Sequence, residues 1–500
     1  MILDRAVVAA SVRALDLQVL AGRRWFAAKG EPVTSARLAH AFGLTATHAL
    51  ALVDLRVGAE RGRTERYALA FVADADVPEG AREADETDGV WRALAAAIAE
   101  ARTIPALPRE GGPAVEAGSA GSPGSAAVDA ALVCRPATGF GALWDTPAAL
   151  VATATERPLG RDQSNTSVVL GDALLLKGYR RIQPGLNPDL ELTAYLSEEV
   201  GFPGVPRLAG WAEAVTREAG TATVAMLSEF VAQADDVYEA TAEELALLIA
   251  APGSVSLEWA TELAADLGTL VAGMHAALAT PPADAPDLAP RLATHDELKA
   301  WRMDAHRQFN AAVAAVAPVD AALAAELRDA GAQIAARASR FEAAATAPLV
   351  MRIHADLHLG QILTADDGYR VIDFEGEPLR PIEDRRRLDS PLRDVASLLR
   401  SFDHVARSAA RRAERRAGGP IDAPRLDIEV WIERSRARFL QTYAEGLRRA
   451  GAPFALDLDL LDAFEVAKEC YEFVYAATVL PSWLWAPRDG MRWLLAHGEM

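Results

Sequence analysis

The densest run of chemically capable residues is His354-Ala355-Asp356-Leu357-His358-Leu359-Gly360-Gln361, followed by Val371-Ile372-Asp373-Phe374-Glu375-Gly376-Glu377. Asp356 follows the apolar run 349–353, Gln361 precedes a second short apolar run, and Asp373 follows 369–372. A short hairpin over this stretch brings Asp356, Gln361 and Asp373 to one end of a sheet. Two carboxylates and an amide at a shared rim can hold Mg²⁺ and orient a hydroxyl. A lone Asp here says little, because Asp and Gly are ordinary hairpin-loop residues. The combined spacing is far more specific.

Other candidates are weaker one by one. Lys177 lies in SVVLGDALLLKGY, two apolar runs around Gly171-Asp172 that read as a hairpin, and a helix over 188–200 follows with Pro188 near its start. A lysine alone is most often a surface residue. The turn Asp162-Gln163-Ser164-Asn165-Thr166-Ser167 could present N–H groups and hydroxyls to an anion, but such turns are usually only turns. In AKECYEFVYAATVLPSWLWAPRDG, Lys468, Tyr471, Glu472 and Tyr475 fall at i, i+3, i+4 and i+7 and share one helix face. Tyr rings stack on the apolar face of a pyranose and charges bind its hydroxyls; a face that packs on its own lobe explains the stripe equally well. His275 reads as a packed core histidine. His354 and His358 read as loop braces rather than zinc ligands, since no further ligands are in sight. Asp394, in PLRDVASLL, reads as a brace for the loop of Asp356. Arg385, Arg386, Arg387 and the arginines of 406–416 read as solvated surface.

Several elements must position these residues. Residues 1–22 predict an amphipathic helix, 33–57 and 64–74 half-buried strands, and 88–102 a helix. The Gly/Ser/Pro-rich stretch 108–126 predicts a mobile loop. Strands are expected at 130–135, 166–171, 173–179 and 223–230. Residues 238–345 and 391–500 read as helical, with a short β patch within 347–385. The expected domains are a small α/β cap (1–107), the loop (108–126), a β-rich intermediate subdomain on the nucleotide side (127–235) and a mainly helical lobe (236–500). This order predicts two lobes with a cleft between them.

Composition bounds the function. The chain has 500 residues, 51 Lys+Arg against 70 Asp+Glu, and a net charge of -19, which argues against a general nucleic-acid binder. Hydrophobic residues make up 51% and charged residues 24%, the globular range. Two cysteines, Cys134 and Cys470, cannot build a disulfide framework or a Cys-rich zinc site, and fit a reducing cytoplasm. The N-terminus has an acid at position 4 and is a poor signal peptide. The Ala-rich runs are broken by charges, so no membrane span is expected.

With these residues in view, HADLHLGQIL followed by IDFEGEP resembles the catalytic and metal motifs of the aminoglycoside-phosphotransferase-like kinases, a branch of the protein-kinase-like fold. The longer run to SFDH, together with RRWFAAKG at 23–30 and YRRIQPGLNPDLE at 179–191, resembles the maltokinase group. The resemblance implies an α+β, bilobal protein-kinase-like fold with an N-terminal α/β cap and a helical C-terminal lobe. It implies ATP and Mg²⁺ as cofactors. Asp356 corresponds to the catalytic Asp that accepts the proton of the sugar hydroxyl, and Gln361 and Asp373 to the Mg²⁺ ligands. Lys177 corresponds to the lysine on the ATP phosphates and Glu191 to its helix carboxylate. The turn with Ser164, Asn165 and Thr166 stands in place of a G-x-G-x-x-G loop. Glu229 and Val231 offer backbone groups to adenine. Lys468, Tyr471, Glu472 and Tyr475 correspond to maltose-binding positions.

One departure bears on the substrate. Maltokinases typically continue with Glu-Ala-Arg after the second Tyr, whereas this chain reads Ala476-Ala477-Thr478. Loss of a cation with retention of Glu472, Glu375 and Glu377 makes the pocket more anionic, which favours an ammonium-bearing sugar. The expectation is therefore a kinase for glucosamine, with Trp483, Trp485 and Trp493 closing the pocket around one ring. A maltokinase proper, an aminoglycoside phosphotransferase and a non-catalytic kinase-like binder are the alternatives. The expected partner is a small sugar, with neither nucleic acid nor membrane; the expected state is a cytoplasmic monomer or weak homo-oligomer.

Overall fold

The computed structural model describes residues 2–23, 25–26, 28, 30–59, 62–108, 129–138, 140, 153–160, 165–232, 235–251, 256–280, 288–343, 347–376, 381–421 and 426–497. Ser164, Glu377 and all but the first residue of the 108–126 loop lie outside these residues. The chain divides into two compact units: 1–201 with 206–232 and 379–382, and 202–205 with 233–378 and 383–500.

The first unit opens with α1 (Arg5–Arg13) and α2 (Leu17–Gly22), where a single helix was expected. Asp16 breaks it: its extended backbone and its carboxylate, which accepts from the N–H groups of Gln18 and Val19, start a second helix. An antiparallel sheet follows, β1 (Val33–Gly43), β2 (His48–Val57), β3 (Arg63–Ala73) and β4 (Ala81–Glu83), with β4 on β3. β2 is buried along nearly its whole length rather than on one face. Leu50 and Leu52 enter one core, while Ala49, Ala51, Val53 and Leu55 enter another. Helix α3 (Val90–Ala99) brings Trp91, Leu94 and Ile98 into the first of these.

The second sheet holds β5 (Thr103–Pro105), β6 (Ala130–Pro136), β7 (Glu156–Pro158), β8 (Thr166–Leu170) and β9 (Leu174–Gly178). The short β10 (Arg181–Ile182) returns to β3 of the cap sheet. β11 (Leu208–Thr216) and β12 (Gly220–Glu229) complete the second sheet, in the order β5-β6-β11-β12-β9-β8-β7. β11 was not foreseen: LAGWAEAVT is Ala-rich and weak in strand propensity, and its pairing with both β6 and β12 fixes it. The β8–β9 hairpin turns through the three residues 171–173: Gly171 (φ 57) and Asp172 (φ 54) are left-handed, and the Ala173 N–H donates to the Leu170 carbonyl at 3.2 Å. Helix α4 (Pro188–Ala194) starts at Asn187, whose side chain accepts from the Asp189 N–H, and continues into a π-helical turn, Tyr195–Glu199.

The second unit is built on α5 (Val237–Ala250), α6 (Glu262–Leu278), α7 (His295–Val316), α8 (Leu392–Ala417), α9 (Ile428–Ala450), α10 (Leu458–Val479) and α11 (Trp485–His497). A hairpin of β13 (Ile362–Ala365) and β14 (Gly368–Val371) interrupts the helices. α6 and α9 cross closely at Gly268, where an added Cβ would stand 2.5 Å from the Phe439 carbonyl oxygen. Among the described residues, no helix is long and apolar enough to cross a membrane.

Candidate active site

The β13–β14 hairpin brings the ends of its strands together, so Gln361 stands just before it and Asp373 just after. The Ile372 N–H donates to the Gln361 carbonyl at 2.9 Å, and the Gln361 amide donates to Asp373 Oδ2 at 3.2 Å. Ala355 and Asp373 both take positive φ, 69° and 67°. Left-handed backbone at a non-glycine residue costs about 1–2 kcal/mol and gathers at functional loops.

Asp394, in the first turn of α8, holds that strained loop. It is 1% exposed; its Oδ2 accepts from the His354 N–H at 2.8 Å and its Oδ1 from the Ala355 N–H at 2.9 Å. His275 Nε2 lies 3.3 Å from Oδ2, and His275 Nδ1 lies 2.9 Å from the Tyr443 hydroxyl. The brace expected of Asp394 is therefore present, and His275 is a core residue with a polar task. His354 donates from Nε2 to the Ile372 carbonyl at 2.9 Å and accepts at Nδ1 from the Asp356 N–H at 3.3 Å. His358 accepts from the Gly360 N–H. Both histidines brace the loop.

Asp356 is half-buried, and burial raises its pKa above the ordinary 3.8 while Lys468, His358 and His354 pull it down. Lys468 is itself held charged against its burial by Glu472 and Asp356. Its ammonium is 2.8 Å from Glu472 Oε1 and 4.9 Å from the centre of the Tyr471 ring. Lys468, Tyr471 and Glu472 are thus one half-buried cluster on α10, electrostatically joined to Asp356, whereas Tyr475 is exposed. The pairing tempers the anionic pocket expected from the sequence. Glu472 already faces a cation, and Arg385 Nη1 stands 3.8 Å from Glu375 Oε2. Trp485 is half-buried, 5.0 Å from Trp483, with the Arg411 guanidinium 4.1 Å over its ring. Trp493 is buried against His497, as core.

In the first unit, Lys177 on β9 pairs with Asp189 Oδ2 at 2.7 Å, and the Tyr179 hydroxyl donates to the same oxygen at 3.0 Å. Asp189 is 1% exposed and stands two residues before Glu191, which shares the first turn of α4. The short ion pair of Lys177 therefore goes to Asp189, a residue passed over in the sequence although it lies within the same PDLE run. Thr166 is opposite Gly178 and Ser167 opposite Lys177. Cross-strand partners share a face and successive residues alternate, so the Thr166 side chain lies on the face away from Lys177. Ser167, the last residue of the quoted turn, is the hydroxyl on the Lys177 face. Asn165 Oδ1 accepts from the Arg180 N–H at 3.3 Å. The Glu229 N–H is taken by the Arg207 carbonyl at 2.8 Å, so only its own carbonyl can serve a ligand; Val231 follows, half-buried.

Residues 20–98 match the maltokinase N-terminal cap domain family. A glucosamine kinase of Streptacidiphilus jiangxiensis is 31% identical over 341 residues, which span 66% of this chain and 72% of the relative. A solved glucosamine kinase (crystal form B) superposes with a TM-score of 0.72 at 26% identity, covering 98% of this chain and 99% of that one. Another, solved in complex with glucosamine, ADP and inorganic phosphate, gives 0.69 at 25% identity over 97% and 98%. These likenesses run through the capped, sheet-rich first unit and the helical second unit alike, so the fold is the α+β protein-kinase-like one. The chain belongs to the maltokinase-like sugar kinases that include the glucosamine kinases, and is a phosphotransferase acting on a sugar hydroxyl.

Proposed function

We propose that the protein transfers the γ-phosphate of Mg-ATP to glucosamine, giving glucosamine 6-phosphate and ADP. The observation that carries this reading is the single electrostatic cluster of Asp356, Lys468 and Glu472. It joins the Lys468–Glu472 ion pair to the candidate base, so that a substrate ammonium would share Glu472 with Lys468. Glu472 is held ionised against its burial by Lys468. The resemblance to glucosamine kinases along the chain supports the same sugar.

In this reading Asp356 accepts the proton as the sugar oxygen bonds to the γ-phosphorus and the bond to the bridging oxygen of ADP breaks. Asp394 fixes where Asp356 stands, through two amides of its loop. Lys177, oriented by Asp189, offsets phosphate charge, with Ser167 on the same face and Asn165 beside it. Ser164, Thr166 and Glu191 keep the nucleotide-side roles implied by resemblance, Thr166 through its backbone. The Glu229 carbonyl and the Val231 N–H serve adenine. Gln361 and Asp373 offer an amide oxygen and a carboxylate, an oxygen donor set that fits Mg²⁺. That ion would neutralise phosphate charge. Glu375, Tyr471, Tyr475 and Trp485 complete the proposed sugar side.

The test is ADP release with Mg-ATP across glucosamine, glucose, N-acetylglucosamine, maltose and an aminoglycoside. Turnover with glucosamine and none with N-acetylglucosamine is expected, because acetylation removes the ammonium. Preferred turnover of maltose would refute the reading and make the Lys468 stripe a disaccharide platform.

A further inference from the structure

Two sequence motifs have no part in the chemistry above: RRWFAAKG in the cap, and the Arg180 of YRRIQPGLNPDLE. Both meet at a cavity of about 340 Å³ within the first unit, lined by Arg23, Trp25, Glu83, Glu86, Thr166 and Arg180 among others. Asn165 and Ser167 also line it, so it adjoins the turn given above to the nucleotide phosphates and extends from there to the face of the β8–β9 pair opposite Lys177. Thr166 and Gly178 point that way, and a Cβ at Gly178 would meet the Trp91 ring at 2.7 Å.

Arg180 is the unusual group. It is 6% exposed, yet among the described residues its guanidinium makes no hydrogen bond, and its buried Nε and Nη1 have no acceptor within hydrogen-bond range. The nearest carboxylate, Glu83, stands 3.7 Å from Nη1, beyond hydrogen-bond range, and already holds Arg23. The cation lies 5.2 Å from the ring centre of Trp25 and 5.9 Å from that of Trp91. Among the described residues, the buried Thr166 hydroxyl also lacks a hydrogen-bond partner. Buried polar groups are ordinarily satisfied, and an orphan beside a cavity points to a missing water, ion or ligand.

The charges around the cavity narrow the ligand. Two arginines, Arg23 and Arg180, face three carboxylates, Glu83, Asp85 and Glu86. A bare anion would meet a net negative wall, so the ligand must carry a cation as well. A guanidinium fork matches a phosphate. The Trp25 ring suits the apolar face of a sugar ring. The volume is at the lower end of small-molecule sites.

We propose that this cavity is a second ligand site, for a small phosphate monoester whose ring bears an amino group. Its phosphate would sit on Arg180 and its ammonium against Glu86 and Asp85. The choice of glucosamine 6-phosphate as probe rests on the substrate proposed above; the cavity and its orphaned cation do not.

The test titrates the intact protein calorimetrically with glucosamine 6-phosphate, in saturating glucosamine and Mg-ADP so that the catalytic site is filled. One further equivalent should bind. Glu86→Gln should weaken it about tenfold, the scale of one charge-assisted hydrogen bond, and leave glucosamine turnover unchanged. Arg180→Met should abolish it, and glucose 6-phosphate should bind more weakly than the amino sugar ester. No second equivalent, or one indifferent to Glu86→Gln, overturns the site; so does inorganic phosphate binding as tightly as the ester. A second equivalent in a protein that does not turn over glucosamine would refute the proposed substrate and leave this site standing.

Discussion

Asp394→Asn is the sharpest perturbation of the catalytic loop. The carboxylate accepts the His354 and Ala355 N–H groups on different oxygens, at 2.8 and 2.9 Å, and is 1% exposed. An amide of the same shape offers one oxygen and one NH₂. Whichever way it turns, one backbone N–H faces a donor and is orphaned, which costs about 1–3 kcal/mol. The surviving bond loses its charge assistance, about 1 kcal/mol more. The loss should therefore be roughly 2–4 kcal/mol in the second unit. Ala355 holds φ 69 under this brace, so the loop should relax and carry Asp356 with it. A displacement near 1 Å is worth on the order of 100-fold in turnover. Calorimetric unfolding and steady-state kinetics read both effects. Unfolding unchanged within 0.5 kcal/mol (roughly the noise of a neutral surface change) together with kcat within about twofold would sink the argument that Asp394 positions the base.

Asp356→Asn should keep nucleotide affinity, measured by ADP titration, and lose nearly all turnover; near wild-type kcat would remove it as the base. Asp189→Asn should raise the Michaelis constant for ATP more than Glu191→Gln does, because Asp189 stands 2.7 Å from Lys177; the reverse order would make Glu191 the carboxylate that orients the lysine. The kcat/KM profile should fall on the acid side above pH 3.8, because burial raises the pKa of Asp356 and only its ionised form accepts a proton. Lys468→Met removes a cation that lowers this pKa, so the acid limb should move to higher pH; no movement would show that Lys468 does not act on Asp356. Gly268→Ala should destabilise the α6–α9 crossing by about 1–3 kcal/mol, since the new Cβ would lie 2.5 Å from a backbone oxygen that cannot rotate away; unfolding unchanged from wild type would mean the helices separate freely.

Local chemistry was legible in the sequence wherever a short segment settles it. The β8–β9 hairpin follows from Gly171-Asp172 between apolar runs. The juxtaposition of Gln361 and Asp373 follows from a hairpin that ends beside both. Helix spacing alone puts Lys468, Tyr471 and Glu472 together on α10. Tertiary packing decided what depends on a distant partner. β11 is a strand because β6 and β12 pair with it, against its own propensity. β2 is buried on both faces because two cores meet there. Lys177 meets Asp189 at 2.7 Å because the cap at Asn187 places the first turn of α4 within its reach. Strand alternation sends Thr166 away from Lys177 and Ser167 toward it. Glu472, a bare carboxylate in the sequence, turns out to be half of an ion pair. A sequence carries residue types and local period; which charges meet, and which stay short of a hydrogen bond as Arg180 does among the described residues, is settled only when distant segments fold against one another.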